Sequence, residues 1–233
     1  MTNFKEVFQN KHVVLPVVHV ETGIQTLKNA HIAFKAGADG VFLISMNGMN
    51  HYDLLQIQKQ TRQEFSTWWI GINYLDLSTI SAFKNVDAGV SGLWTDNARI
   101  YEWSDKQIEA DQINIAREKS GWPGLYFGGV AFKYQYLVKD PALAAKIATK
   151  YVDVVTTSGT MTGIAPDIQK IKSMKKAMGD FPLAIASGVS PQNVEQFLDH
   201  ADCFLVATSL LKPNAEEFDP GKVKDLVEIV QKK

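Results

Sequence analysis

The feature that constrains this chain most is a rhythm. Short, nearly continuous apolar runs alternate with helix-period segments eight times over. The apolar runs cover residues 12–20, 40–45, 68–74, 92–95, 124–133 and 153–157, and two more lie within 183–211. Runs of this length without polar alternation read as strands buried on both faces, which happens when helices cover both sides of a parallel sheet. The segments between them carry helical spacing at 23–36, from Asn50-His51 to 64, 77–83, 105–119, 141–150 and 166–178. Two more helices are expected to open at Pro191 and at Asp219-Pro220. Pro141, Pro166, Pro191 and Pro220 are each placed at the first helical position, where a missing N–H is harmless. Eight strand–helix units in 233 residues favour closure into one (β/α)8 barrel, the TIM barrel, over an open doubly wound sheet. No Gly-rich dinucleotide fingerprint follows the first strand, where LPVVHVETG stands instead. No linker or low-complexity tract divides the chain, so residues 1–233 are expected to form a single domain.

Composition narrows the partners. Lys and Arg total 24 against 25 Asp and Glu, and a net charge of −1 provides no basic field for nucleic acid. The single cysteine, Cys203, stands in an apolar run and excludes an internal disulfide, which fits a reducing, cytoplasmic setting. No apolar run approaches the ~20 residues of a membrane helix, so no membrane insertion is expected.

The most informative stretch is LAIASGVSPQNVEQFLDHADCFLVATSLL, residues 183–211. It reads as a strand ending in Ser187-Gly188, a helix, and a strand ending in Ala207-Thr208-Ser209. Small and hydroxylated residues past two neighbouring strand ends leave N–H groups open to an anion, and a helix start nearby would add the positive end of its dipole. In a (β/α)8 barrel the loops after strands seven and eight form a phosphate site. Ser187, Gly188, Thr208 and Ser209 are therefore candidate phosphate ligands, with Ser158, Gly159, Thr160 and Thr162 of the sixth loop beside them.

Three blocks carry a resemblance. DVVTTSGTMTGIAPDIQKIKSM, PLAIASGVSPQNV and ADCFLVATSLLK together resemble the BtpA/SgcQ family, a branch of the ribulose-phosphate-binding barrels. The family pattern S-G-x-x-T-G-x-x-P-D is present as Ser158, Gly159, Thr162, Gly163, Pro166 and Asp167, and S-G-V-[ST]-P-x-N-V as residues 187–194. The eighth loop departs: Ala207-Thr208-Ser209 stands where the family has a G-S-S-like element, which narrows the backbone's approach to a phosphate. The resemblance implies the barrel fold. Some members are associated with photosystem I assembly, and others carry only general nucleoside or phosphoribosyl labels.

Acid–base candidates stand at the strand ends, where barrel enzymes place their reacting groups. His19 and Glu21 end the first strand two residues apart and can pair; Asp96 follows the fourth. Gly129, Ala131 and Lys133 are read as one inward face of the fifth strand, bringing Lys133 to the mouth as a phosphate or carboxylate ligand or a Schiff-base former. Asn73 lies on the small face of the third strand as a ligand-orienting group, whereas Asn47 and Asn50 suit turns. The other histidines fall at strand starts or on helices, so neither metal nor cofactor is expected. The loop 95–105 reads either as a lid or as an ordered interface loop.

Two functions compete. One is an enzyme on a phosphorylated sugar or nucleotide-like molecule, of the isomerase, lyase or phosphoribosyl-transferase kind, with His19, Glu21, Asp96 or Lys133 moving protons. The other is a non-catalytic binding or assembly factor that keeps the anion site. A homo-oligomer is expected in either case.

Overall fold

The computed structural model describes residues 3–232, and within them eight parallel strands close into a barrel in sequence order. The strands are β1 (Val13–Val20), β2 (Gly40–Ser45), β3 (Trp69–Asn73), β4 (Gly92–Thr95), β5 (Leu125–Gly129), β6 (Val154–Thr157), β7 (Leu183–Ala186) and β8 (Cys203–Val206). The helices are α1 (Phe4–Val7), α2 (Gly23–Lys35), α3 (His51–Glu64), α4 (Thr79–Asn85), α5 (Ile108–Ser120), α6 (Pro141–Ala148), α7 (Ile168–Met178) and α8 (Pro220–Gln231). β8 pairs back onto β1 with Val13 opposite Cys203, which completes closure. The expected (β/α)8 barrel is the fold found.

Alternate strand residues separate two layers. Val13, Leu15, Phe42, Trp69, Phe127 and Leu205 pack inside the barrel, while Val14, Leu43, Ile70, Leu93, Val155 and Phe204 pack between strands and helices. Large rings fill the interior because small residues face them. A Cβ on Gly92 would lie 2.2 Å from Trp69 Cζ2, so only glycine there admits the indole. Below, α1 stoppers the barrel: Phe4 meets Phe127 at 6.5 Å and Phe8 meets Trp69 at 5.4 Å. Cys203 is buried and unpaired. No helix among the described residues is long and apolar enough to cross a membrane.

Several local expectations are corrected. β5 stops at Gly129 rather than at Lys133, because Ala131 (φ 47) and Tyr134 (φ 63) adopt left-handed backbone that no strand continues. Ala131 and Lys133 therefore do not extend an inward strand face, and Lys133 reaches the mouth from a loop. No α-helix opens at Pro191. Asn193 instead accepts the N–H of Ser190 at 2.8 Å and donates to the Gly188 carbonyl at 2.8 Å, and only a short 3-10 segment, Val194–Phe197, follows. Pro166 precedes its helix; Asp167 is the N-cap, accepting from Gln169 and Lys170. Asp105 caps nothing, and α5 starts at Ile108 because Gln107 folds its amide back onto Tyr101 and Ser104. Pro141 and Pro220 do hold the first helical turn.

Candidate functional site

A cavity of about 640 Å³ opens at the C-terminal ends of the strands. Val17, Ile44, Trp94 and Leu205 supply its buried apolar lining, the half-buried Met46 and the exposed Leu75 add apolar surface, and polar groups line the rest. The period-two alternation of the strands brings His19 and Asp96 to this lining and turns Asn73 inward beside Asp96.

The ends of β7 and β8 form one side. Ser187 (φ 141) and Gly188 (φ 66) both take unusual positive φ, so the chain turns sharply where β7 stops. Gly188 is obligatory for a second reason: a Cβ there would sit 2.0 Å from the backbone nitrogen of Ala165. The sixth loop thus lies directly on the seventh, and Ser187 Oγ donates to Met161 O at 3.0 Å. Asn193 holds the Gly188 carbonyl, and Ser209 Oγ donates to Val189 O at 2.7 Å, tying the eighth loop to the seventh. The N–H groups of Gly188, Val189, Thr208 and Ser209 have no acceptor among the described residues, and all four residues line the cavity. Because no α-helix starts at Pro191, these N–H groups, rather than a helix dipole, are what this edge presents to an anion.

The sixth loop contributes less than its sequence suggests. Ser158 is fully buried and its hydroxyl is occupied, donating to Gly159 O at 2.9 Å and accepting the Lys133 N–H at 2.8 Å. Ser158, Gly159 and Thr160 do not line the cavity; Thr162 and Gly163 do.

Opposite stands a charged group. Asn73 Nδ2 donates to Asp96 Oδ1 at 3.0 Å, and Lys133 Nζ donates to Thr162 Oγ1 at 3.1 Å. Burial raises the Asp96 carboxyl above the ordinary aspartate range, while the Asn73 hydrogen bond and the Lys133 charge pull it partly back. Gln135, which sequence reasoning missed, donates through Nε2 to the carbonyls of Asp96 and Gly129, so the fifth loop fixes the backbone that carries the acid. Lys170 was missed too. Its ammonium donates to Ala131 O at 2.6 Å and Ser158 O at 2.8 Å beneath the fifth and sixth loops, and burial lowers its pKa to about 8.

His19 does not pair with Glu21. Its Nδ1 donates to Glu216 Oε2 at 2.8 Å, while Glu21 points away, exposed and outside the cavity lining. Glu216 is presented by the loop after β8, which α2 grips: Gln25 and Asn29 both donate to the Glu216 carbonyl, at 2.5 and 2.8 Å. Nothing local in the sequence signals this partner, which lies 197 positions from His19. The loop 95–105 packs onto the fifth loop through Tyr101, Trp103 and Tyr136, and Tyr136 Oη donates to Ile100 O at 2.5 Å. None of residues 97–107 lines the cavity. A second histidine–carboxylate pair, His51 Nδ1 to Asp76 Oδ2 at 2.7 Å, stands outside it.

Fold and mouth together define a (β/α)8 barrel with a single-sided array of free backbone donors beside β7 and β8. Residues 126–232 match the BtpA family, in agreement with the motifs of the second half. An uncharacterized protein of the archaeon Methanocaldococcus jannaschii is 27% identical over 217 residues, covering 85% of this chain and 76% of its own length. Solved barrels with the same fold include tryptophan synthase of Mycobacterium tuberculosis, with TM-score 0.72, 14% identity and 99% of each chain covered. A second is (S)-3-O-geranylgeranylglyceryl phosphate synthase of Thermoplasma acidophilum in complex with sn-glycerol-1-phosphate, with TM-score 0.70, 13% identity and 100% of each chain covered. Phosphoribosyl anthranilate isomerase of Thermus thermophilus has TM-score 0.64 at 13% identity, covering 93% of this chain and 96% of its own.

Proposed function

We propose that the chain is an enzyme acting on a phosphorylated small molecule, sugar- or nucleotide-like, bound at the barrel mouth. The observation that carries the reading is the set of unpaired N–H groups of Gly188, Val189, Thr208 and Ser209 on one wall of the cavity. Backbone donors fixed by strained or hydrogen-bonded loops suit a phosphate, because they need no reorganisation to meet it. Ala207, which stands where the family has glycine, also lines the cavity, and the free donors lie on the two residues after it. The barrels of similar fold support the reading by their names, which include phosphoribosyl anthranilate isomerase and a synthase holding sn-glycerol-1-phosphate.

Acid–base work falls to Asp96, with Lys133 as its electrostatic partner. A carboxyl whose pKa is raised by burial retains its proton closer to neutrality and exchanges it with substrate more readily than an exposed aspartate. His19, oriented by Glu216, is the second proton-transfer group on the wall. Titration calorimetry against a panel of sugar phosphates and nucleotides, followed by product analysis of each ligand that binds, tests the reading. Conversion that disappears in Asp96→Asn supports an enzyme.

One observation favours the second reading, a non-catalytic binding factor. His19 on β1 and Asp96 after β4 are tied to separate partners, and no hydrogen bond or ion pair joins them. Tight binding without conversion of any phosphorylated ligand would establish that reading instead.

A further inference from the structure

A phosphate seated against the ends of β7 and β8 needs more than N–H groups, because a charge taken into a cavity is costly unless an opposite charge meets it. Four titratable side chains line this cavity: His19, Asp96, Lys133 and Tyr134. His19 is already matched by Glu216 at 2.8 Å. Asp96 and Tyr134 carry no positive charge in any protonation state. Lys133 does, and among the described residues no carboxylate forms an ion pair with it. Its ammonium donates instead to the neutral Thr162 Oγ1 at 3.1 Å and lies 5.7 and 5.9 Å from the ring centres of Phe132 and Tyr134. Lys170, beneath the same loops, is engaged by the Ala131 and Ser158 carbonyls and does not line the cavity.

Lys133 also bridges two sides of the mouth. Its partner Thr162 belongs to the sixth loop, which lies on the turn after β7. There Ser187 Oγ meets Met161 O at 3.0 Å, and a Cβ on Gly188 would sit 2.0 Å from Ala165 N. Gly163, next to Thr162, lines the cavity, and its own N–H has no acceptor among the described residues. In the other direction the Lys133 charge acts on the Asp96 carboxyl, to which Asn73 donates at 3.0 Å. An ammonium with three donors on a flexible four-carbon stem can serve either group. A phosphate oxygen competes for it better than a threonine hydroxyl, because a hydrogen bond between opposite charges is about twice as strong as one between neutral groups.

We propose that Lys133 is the counter-ion of the ligand's phosphate and couples the two sides of the mouth: an anion at Gly188, Val189, Thr208 and Ser209 draws the ammonium from Asp96, so that ligand binding readies Asp96 as the acid. The inference rests on the phosphate reading and adds to it a specificity-determining charge and a coupling. In the empty site Lys133 favours the ionised Asp96 carboxylate, and with the ammonium drawn to the anion burial is opposed by Asn73 alone. Asp96 takes the added proton from solvent, and no bond to the ligand forms or breaks in this step.

The probe is inorganic phosphate, titrated calorimetrically into the full chain, into Lys133→Met and into Lys133→Arg, which keeps the charge. Lys133→Met should weaken phosphate at least about fivefold, the solvent-screened limit for one lost charge pair, and Lys133→Arg should hold most of the affinity. In the natural chain the Asp96 carboxyl carbon resonance should titrate at higher pH with phosphate than without. In Lys133→Met that rise should shrink, or vanish where phosphate no longer binds. Lys133→Gln serves if the methionine variant does not fold. Equal phosphate binding by the natural chain and Lys133→Met overturns the inference and leaves the phosphate site standing. An Asp96 titration unmoved by bound phosphate, or an equal rise in both chains, does the same. A natural chain that binds no phosphate removes the phosphate site, and the inference with it.

Discussion

Asp96 takes its character from three neighbours at once: the protein that buries it, the Asn73 amide and the Lys133 ammonium. Burial dominates and raises its pKa; the other two lower it. Removing the lysine charge with Lys133→Met should therefore move the Asp96 carboxyl higher still, read from its carboxyl carbon resonance across pH. An unchanged titration would mean that Lys133 does not act on Asp96. Lys170 makes the opposite case. Its pKa falls from 10.5 in the unfolded chain to about 8 in the fold, so between those values the unfolded chain holds the proton that the folded one has released. Stability contributed by this residue accordingly rises with pH from about 8 to 10.5, by at most about 3.5 kcal/mol at ~1.4 kcal/mol per unit. Urea unfolding at pH 7.5 and at pH 10 should show the natural chain gaining on Lys170→Met, and equal responses of the two chains would refute the assignment.

At the level of elements, the strands and their faces were legible in the sequence, and the loops were not. Continuous apolar runs fix where strands lie, and alternation turns His19, Asn73 and Asp96 inward without further information. The end of β5 was misread because the residues that stop it act from a distance: Gln135 bonds to the Asp96 and Gly129 carbonyls, and Lys170 bonds to Ala131 O. The helix expected at Pro191 was misread for a local reason. Proline suits a helix start and a turn equally, and it is Asn193, bonded to Ser190 N and Gly188 O, that selects the turn. Glu216 could not have been paired with His19, because that contact depends on where α2 holds the loop after β8. The tight stacking of the sixth loop on the seventh yields a stability prediction. Gly188→Ala combines positive φ with a Cβ 2.0 Å from Ala165 N, so it should destabilise the chain by about 2 kcal/mol or more. Thermal unfolding checks this, and a variant as stable as the natural chain would show that the two loops are not packed as described.

Across the whole molecule, the barrel divides its labour by end. The lower end is sealed by Phe4 and Phe8 of the N-terminal segment against Phe127 and Trp69, and the upper end is left open and lined with free donors. The fold was readable because closure follows from eight similar units, and the (β/α)8 architecture directs attention to the loops after β7 and β8. The donors themselves were readable only in part. Ser158, Gly159 and Thr160 looked equivalent to Thr208 and Ser209 in sequence, but packing turns the first three away from the cavity. Gly188 is unsuitable as a probe of the proposed anion site because any side chain there disturbs the fold. Thr208 is exposed and lines the cavity, so Thr208→Asp adds a carboxylate without crowding the core. At an effective dielectric of ~20, two charges ~4 Å apart repel by about 4 kcal/mol, which is roughly a thousandfold in affinity. Calorimetric titration of inorganic phosphate into the natural chain and into Thr208→Asp, both shown folded by circular dichroism, is the most direct measurement. The natural chain should bind phosphate and the variant should lose binding altogether; no binding to the natural chain, or equal binding to both, would contradict the site.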